Sequence, residues 1–277
     1  MTSNQSAARI PTAKLRLAWL TTGRGPGSFG ALEYTLNAID RGLPVELAVV
    51  YINRDRGESE ATDRLIALAE ARGIPVEAHS SVRFRKAAGG KVGKPGDPLQ
   101  PWRFEYDRQA AERLAKYKFE LGVMFGYMLI ATEPLFSRFT FINDHPALPD
   151  GPIGTYQEVI AELMRTGALE SGCMMNVVTG NVDRGPATSY CRFPIRDAAN
   201  EPAWDALSDS ELEAATLEQI VAMPLYADIR MRGVARERPF LVETLRALAT
   251  GELSIPPPKP LDLTEHVERA VHSTRPV

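Results

Sequence analysis

Short apolar runs alternate with amphipathic helical patterns along the first half of the chain, and this alternation strongly constrains the fold. Apolar runs at 15–21 and 45–52 are followed by helical patterns at 29–41 and around 65–69, and a third run follows at 76–78. Strands separated by helices form a parallel sheet that is covered on both faces. We therefore predict an α/β fold with a Rossmann-like, mostly parallel sheet and helices on both faces.

Further elements continue the pattern towards the C-terminus. We predict helices and strands at these positions: helix 103–116, strand 121–125, strand 140–142, helix 157–166, and strands 172–178 and 188–193, with a short helical turn near Pro134. The last two strands are close enough in sequence to form an antiparallel pair across the loop 180–186. After Pro194 the pattern changes to helices, at 209–223, 225–231 and 239–250, which form a C-terminal helical extension.

The predicted domain organisation follows these changes of pattern. Residues 1–14 are expected to be a disordered tail, 15–195 the catalytic domain, 196–255 a helical extension packed on the same domain, and 256–277 a C-terminal tail with a short helix at 265–271. Between residues 80 and 101 the periodicity stops and glycine, proline and lysine accumulate, which predicts an exposed loop or lid.

Composition limits the function classes. The formal net charge is −3, which favours a small-molecule substrate over nucleic acid. No stretch approaches the roughly 20 apolar residues that span a bilayer, and the N-terminus lacks the apolar run of a signal peptide. We expect a soluble, cytoplasmic protein without a membrane partner, whose two cysteines, Cys173 and Cys191, are reduced thiols. A homodimer is left open.

A glycine-rich turn at residues 23–28 follows the first predicted strand. Glycines let the backbone approach a ligand, and the next helix offers unpaired N–H groups to an anion. The spacing matches neither the dinucleotide fingerprint nor the P-loop, so an ATPase is disfavoured. Since such turns are often merely tight, this motif decides nothing alone.

A second motif, Asn-Asp-His-Pro, occupies residues 143–146, at the carboxyl end of a predicted buried strand where open α/β sheets bind ligands. Alternate side chains of an extended segment point the same way, so Asn143 and His145 can face one ligand while Asp144 faces away. Taken alone, the motif is more typical of a surface histidine beside a turn asparagine. A carboxylate, Asp183, follows later in a turn-rich loop, and amide, imidazole and carboxylate together suit acyl transfer to an amine.

The order of these motifs resembles the glycinamide ribonucleotide formyltransferase family, which shares its catalytic domain with methionyl-tRNA formyltransferase and formyltetrahydrofolate hydrolase. The resemblance covers about residues 15–193, with a weaker match at 237–253. It rests on the following segments: Gly25-Pro26-Gly27-Ser28, Gly126-Tyr127-Met128, Asn143-Asp144-His145-Pro146-Ala147-Leu148-Pro149, Thr179, and Asp183-Arg184-Gly185-Pro186. It implies the formyltransferase fold and an enzyme that transfers a formyl group from 10-formyltetrahydrofolate, without a metal, to glycinamide ribonucleotide in purine biosynthesis.

The resemblance also implies residue roles. Asn143 and His145 would bind the formyl oxygen and stabilise its developing negative charge; one such donor is worth about 2.7–4 kcal/mol in measured oxyanion holes. Asp183 would hold a water, help move protons from the attacking amine to the leaving folate nitrogen, and favour the charged imidazole. The folate site would be formed by Gly126, Tyr127, Met128, Leu129, Ile130, Arg103, Thr179, Gly180, Asn181 and Val182. The amine substrate, which is phosphorylated in the purine enzyme, would contact Gly25, Gly27, Ser28 and Glu237.

Several departures from the family pattern bear on substrate choice. Pro26 and Phe29 stand where the ribonucleotide enzyme has asparagines, which removes donors from its phosphate site, and Leu129 stands where a folate-contacting arginine is common. The glycine-rich turn is longer than usual, the loop before Pro149 is one residue short, and the 80–101 segment has no counterpart in compact members. None of these departures falls on the three proposed catalytic residues.

Three alternatives therefore stay open at this point. In the first, the enzyme transfers the formyl group to another amine, such as an amino sugar. In the second, it hydrolyses formyltetrahydrofolate, although the sequence lacks the N-terminal regulatory domain that is usual in the hydrolase. The third alternative is a catalytically silent ligand-binding protein that keeps the fold. Retention of all three polar residues argues against the silent protein.

Overall fold

The computed structural model describes residues 14–93 and 97–273. The predicted N-terminal tail lies almost wholly outside the described residues, as do residues 94–96 of the predicted loop. The helices and strands, in chain order, are β1 (Leu15–Thr21), α1 (Pro26–Asp40), β2 (Val45–Ile52), α2 (Glu60–Ala71), β3 (Val76–Ala78), α3 (Ser81–Ala87), α4 (Pro101–Leu114), β4 (Leu121–Met124), α5 (Glu133–Phe136), β5 (Phe141–His145), α6 (Tyr156–Arg165), β6 (Glu170–Val177), β7 (Ala187–Pro194), α7 (Glu201–Asp205), α8 (Asp209–Ala214), α9 (Leu217–Val221), α10 (Pro224–Thr250), β8 (Leu261–Asp262) and α11 (Thr264–Ser273).

The eight strands form one sheet in the order β3-β2-β1-β4-β5-β6-β7-β8. The five strands from β3 to β5 are parallel, whereas β6 runs antiparallel to both β5 and β7. The reversal of strand order beside β1 places the β1 and β4 loops next to each other, which is where open sheets bind ligands. The predicted mostly parallel Rossmann-like sheet, with helices on both faces, is confirmed.

Each face of the sheet carries its own core, because successive side chains of a strand point to opposite faces. Along β1, Leu17 and Trp19 join the larger core, which also contains residues of α1, α2, α6 and α10. Ala18 and Leu20 join the smaller core, which contains residues of α4 and α5. Strands β1, β4 and β5, whose carboxyl ends lead into these loops, are therefore packed on both faces.

Three segments differ from the sequence-based prediction. The predicted loop at 80–101 contains the helix α3, which the Ser80 side chain caps by accepting a hydrogen bond from the Arg83 amide. The predicted helices at 225–231 and 239–250 are parts of one helix, α10, which continues through Pro239 because apolar residues on both sides of the proline are buried in the same core. The predicted helix 209–223 is divided into α8 and α9.

The predicted C-terminal tail is also ordered within the described residues. Strand β8 pairs in parallel with β7, and Val267 and Val271 of α11 are buried in the larger core. Segment 256–273 therefore completes one edge of the sheet.

The two cysteines lie directly opposite each other on β6 and β7, and both are buried free thiols. No helix within residues 14–93 and 97–273 has the length and apolar character needed to cross a membrane.

Candidate active site

The Asn-Asp-His-Pro motif ends strand β5 and places its side chains on both faces of the sheet. Asn143 and His145 share the face of Phe141, which belongs to the smaller core. Asp144 points to the opposite face, where it interacts electrostatically with Glu237 and Arg230 of α10. The alternation expected from the sequence therefore separates one carboxylate from the amide and the imidazole.

The ring of His145 is buried and is held at its Nε2 atom, which lies 2.9 Å from the carbonyl oxygen of Pro152. A carbonyl only accepts hydrogen bonds, so Nε2 carries the hydrogen. The other ring nitrogen, Nδ1, lies 3.7 Å from a carboxylate oxygen of Asp183. That distance is longer than a direct hydrogen bond between the two atoms. Nδ1 therefore faces the Asp183 carboxylate without a hydrogen bond to it.

The loop that carries Asp183 is fixed by close backbone packing. Asp183 itself has a φ of 53°, in the left-handed region that few residues other than glycine adopt. A Cβ atom at Gly185 would lie only 1.7 Å from the carbonyl oxygen of Val177, so no larger residue fits there. Arg184 donates to the carbonyl oxygen of Gly151, at 3.3 Å, and joins this loop to the segment that follows β5.

The segment after β4 is connected to the end of β1. The Thr22 amide donates to the carbonyl oxygen of Gly126, at 3.0 Å, and the Met128 amide donates to the Thr22 hydroxyl, at 2.9 Å. Gly126 has a φ of 66°, and a Cβ atom there would approach the Ser28 hydroxyl to 2.5 Å. The glycine-rich turn and the expected folate segment are thus in contact.

Arg103 contacts the backbone of the segment that follows β4. Its guanidinium is buried, faces the carboxylate of Asp107 at 3.3 Å, and donates to the carbonyl oxygen of Ile130 at 2.6 Å. Asp107 in turn accepts hydrogen bonds from the amide and hydroxyl of Thr132, and burial raises the pKa of its carboxyl. Arg103 therefore holds the backbone of the 126–130 segment, and only 4% of the residue is exposed.

Apolar side chains are exposed on the two segments that the sequence analysis expected to bind folate. Met128 and Ile130 are exposed on the segment after β4, and Val182 is exposed on the loop that carries Asp183. On the segment after β4, Leu129 is half-buried and Tyr127 is buried. On the loop that carries Asp183, Thr179 is half-buried, and Gly180 and Asn181 are exposed.

A groove of about 210 Å³ lies beside the glycine-rich turn and is lined by Arg24, Gly25, Pro26, Phe29, Ala61 and Arg64. The Arg64 guanidinium lies over the Phe29 ring, 5.1 Å from its centre. Gly25 is the N-cap of α1, with Pro26 following it, and no side chain caps this helix. A Cβ atom at Gly27 would meet no other atom within 4 Å, and Ser28 faces Gly126.

The sequence model of the formyl transferase family matches residues 20–211, which is more than two thirds of the chain. The chain belongs to the formyl transferase family. The prediction of a formyltransferase enzyme is thereby confirmed. Members of this family use formyltetrahydrofolate as a co-substrate.

Solved structures share the formyltransferase fold. Glycinamide ribonucleotide transformylase 1 from Symbiobacterium toebii is 22% identical, with a TM-score of 0.62 and coverage of 93% of this chain and 98% of that one. Phosphoribosylglycinamide formyltransferase from Coxiella burnetii, in complex with CHES, is 20% identical, with a TM-score of 0.59 and coverage of 86% and 88%. The Bacillus halodurans enzyme of the same name is 19% identical, with a TM-score of 0.52 and coverage of 84% and 94%. No curated protein sequence matches the chain significantly.

The sequence analysis of this formyltransferase did not single out Asn176, and it did not predict the surroundings of Asp144. Asn176 of β6 pairs with Asn143, is 2% exposed, and has a buried Oδ1 atom without a hydrogen-bond partner among the described residues. The only sequence feature that could have indicated Asn176 is that this polar residue follows the apolar residues of β6. The sequence analysis expected only that Asp144 faces away from Asn143 and His145. Its interaction with Glu237 and Arg230 could not be predicted, because α10 lies far along the sequence.

No group of three or more His, Cys, Asp or Glu residues in the described part of this formyltransferase is arranged to hold a metal ion.

Proposed function

We propose that this formyltransferase transfers the formyl group of 10-formyltetrahydrofolate to a primary amine, with Asn143, His145 and Asp183 as its catalytic residues. The observation that carries the proposal is the approach of His145 Nδ1 to the Asp183 carboxylate, at 3.7 Å, on the strand face that also carries Asn143. His145 and Asp183 lie 38 positions apart in the sequence. Family membership supplies the reaction type.

The proposed chemistry needs no nucleophilic side chain. The amine nitrogen attacks the formyl carbon, a new C–N bond forms, and the bond from that carbon to N10 of the folate breaks. Negative charge develops on the formyl oxygen, where N–H donors are worth most in a site that excludes water. The Asn143 amide is one donor.

His145 is the second proposed donor. Because Nε2 already carries a hydrogen bonded to the Pro152 carbonyl oxygen, donation from Nδ1 requires the doubly protonated, cationic ring. Asp183 then stabilises that cation. We further propose that Asp183 positions a water through which the proton lost by the amine reaches N10 of the folate.

The folate is proposed to bind across the 126–130 and 179–182 segments. The exposed side chains of Met128, Ile130 and Val182 offer apolar surface to the pterin. Arg103 is proposed to act by holding the Ile130 carbonyl oxygen in place.

For the acceptor, glycinamide ribonucleotide is our first candidate, with Gly25, Gly27, Ser28 and Glu237 as its contacts. The proposed setting is cytoplasmic purine biosynthesis. A different amine is the second candidate, and the absence of asparagine donors at Pro26 and Phe29 favours it.

An absorbance assay for the tetrahydrofolate product, with a panel of amines, tests this function. We expect release that depends on an amine, with kcat lowered about 10²–10³-fold in Asn143→Ala and about 10²–10⁴-fold in Asp183→Asn. Asp205→Asn, at an exposed ion pair with Arg196, is the matched control and keeps wild-type activity. Release without any amine would support the hydrolase, and folate binding without turnover would support a silent protein.

A further inference from the structure

The chain has two cysteines, and the fold places them directly opposite each other. Cys173 of β6 and Cys191 of β7 are partners in an antiparallel pair of strands, and each residue is 1% exposed. The Cα atoms of opposed residues in such a pair lie about 4.5–5.5 Å apart. A disulfide spans Cα atoms that are about 4.4–6.8 Å apart, so the two thiols can be joined within this sheet.

The two thiols share one face of the sheet and interact with each other. Both cysteines belong to the larger core. The hydrogen bond to the Cys191 thiol, and then burial, raise the pKa of the Cys173 thiol. A buried, protonated thiol reacts slowly with bulky or charged reagents. The class of oxidant that fits this place is therefore a small uncharged hydroperoxide, such as hydrogen peroxide.

The cysteine pair lies in the hairpin that carries Asp183. The loop 178–186 joins β6 to β7, so a bond between Cys173 and Cys191 closes a ring that contains Asp183. Strand β6 also pairs with β5, where Asn176 is opposite Asn143. A change in the spacing of β6 and β7 therefore acts on the Asp183 loop and on the strand beside Asn143.

The hairpin is also in contact with the segment that orients His145. A Cβ atom at Gly172 would lie 2.5 Å from the carbonyl oxygen of Cys191 and would overlap the side chain of Leu148, so the two strands and the segment after β5 are tightly packed here. Leu148 belongs to the same segment as Pro152, whose carbonyl oxygen holds the Nε2 atom of His145. Movement of the hairpin therefore reaches His145 as well as Asp183.

We propose that Cys173 and Cys191 form an oxidation site, at which hydrogen peroxide produces an intramolecular disulfide that slows formyl transfer. One thiolate first attacks a peroxide oxygen, the O–O bond breaks, and a sulfenic acid and hydroxide form; the hydroxide takes up the proton that the thiol lost. The second thiol then attacks the sulfenic sulfur, an S–S bond forms, and the sulfenic oxygen leaves as water. Two thiols lose two electrons, and one peroxide is reduced to two waters.

The bond changes the hairpin because a disulfide is shorter than the gap that it closes. It holds its Cβ atoms about 3.5–4.5 Å apart, whereas the Cβ atoms of an opposed strand pair are about 4.5–5.5 Å apart. The strands must therefore approach each other at Cys173 and Cys191. The oxidation site does not depend on the proposed function, whereas its effect on turnover rests on it.

Thiol counting on the whole protein tests the oxidation site. The protein is treated with hydrogen peroxide, the peroxide is removed with catalase, and the protein is unfolded and alkylated with iodoacetamide before peptide mass spectrometry. We expect both cysteines to be alkylated before treatment. After treatment we expect a peptide pair linked through Cys173 and Cys191, which dithiothreitol separates. Two alkylated cysteines after treatment, or sulfinic acid without the linked pair, would overturn the inference.

Turnover tests the effect on the candidate active site and separates it from the proposed function. With an active acceptor, oxidation should lower the kcat of the wild type about tenfold to a hundredfold, because a shift near 1 Å misplaces the catalytic groups, and dithiothreitol should restore it. Cys191→Ala and Cys173→Ala, treated in the same way, are the controls for methionine oxidation and keep their activity.

An unchanged kcat in the bridged protein, or an equal loss in the alanine variants, would contradict the effect on turnover. A disulfide that forms in a protein whose reduced form transfers no formyl group to any amine would sustain the oxidation site and reject the transferase.

Discussion

At the scale of single residues, the candidate site depends on atoms that a sequence cannot place. His145 is oriented by a carbonyl oxygen seven residues away, at Pro152, and Asp183 reaches it from a loop with a left-handed backbone. A left-handed residue other than glycine is strained and persists only where its surroundings fix it. The geometry of this loop should therefore be sensitive to small changes beside Asp183.

Gly185→Ala tests that sensitivity. The added Cβ atom would overlap the carbonyl oxygen of Val177, so the loop must move. We expect a loss of about 1–3 kcal/mol in the free energy of unfolding, and a fall in kcat/KM of about 10²-fold because a shift near 1 Å misplaces the carboxylate. Gly233→Ala on α10, whose nearest neighbour would be a Phe193 ring atom at 3.7 Å, is the control. Wild-type activity in Gly185→Ala would show that the loop position is unimportant.

His79 illustrates a buried histidine outside the proposed chemistry. Its Nδ1 atom lies 2.9 Å from the Tyr51 hydroxyl, and its ring stacks on Tyr106 at 4.4 Å. Burial is the main cause that lowers the pKa of His79, from 6.5 to about 4. Between these two values the unfolded chain binds a proton that the folded protein does not, so the free energy of unfolding falls as the pH falls from about 6.5 to about 4.

The measurement is urea unfolding at a series of pH values for the wild type and His79→Gln. The variant cannot bind this proton, so the difference in free energy of unfolding between the two proteins should change across that window and stay constant above it. A difference that is the same at pH 7.5 and pH 4 would disprove the assignment.

At the scale of elements, the bounds predicted from the sequence agree with the structure where a segment is buried. The predicted bounds of β1, β2 and β3 agree with the structure, because buried parallel strands are continuous apolar runs that end at turn signals. Helix α3 was missed because it has seven residues and buries only Ser81, which leaves no periodic pattern. Strand β8, with two residues, is too short for any period.

The same reasoning explains what was predictable at the candidate site. Alternation along one strand placed Asn143 and His145 together, and the family pattern added Asp183. The environment of Asp144 depends on how α10 packs on the sheet, and nothing local in the sequence reports that packing. Likewise, the burial of Arg103 depends on Asp107 and Ile130, of which only the first is close in sequence.

Helix α11 offers a test of whether the C-terminal segment belongs to the folded core. Val267 is fully buried, whereas His266 beside it is exposed. Val267→Asp places an unpaired charge in the core and should lower the free energy of unfolding by several kcal/mol, while His266→Asp should change it by less than about 0.5 kcal/mol. Chemical unfolding of both variants measures this difference. Equal free energies of unfolding for the two variants would mean that α11 contributes little to the stability of the fold.

At the scale of the whole molecule, the apolar surface of the candidate site links folate binding to global stability. Met128 is 69% exposed on the segment between the glycine-rich turn and the proposed catalytic residues. A ligand that binds only the folded protein raises the free energy of unfolding, by about 2.7 kcal/mol at a concentration of 100 times its Kd. Covering this surface should therefore stabilise the entire sheet.

Met128→Glu should weaken this coupling, because a carboxylate would replace apolar surface under the pterin. With tetrahydrofolate as the ligand, a tenfold weaker affinity would leave a stabilisation of about 1.4 kcal/mol at the concentration that gives the wild type about 2.7 kcal/mol. Leu169→Glu is the matched control, since Leu169 is 68% exposed before β6 and is not part of the proposed folate site. Unfolding of the three proteins with and without tetrahydrofolate measures the effect. Equal stabilisation of Met128→Glu and the wild type would place the folate elsewhere, because a charge introduced beneath the pterin must reduce its binding.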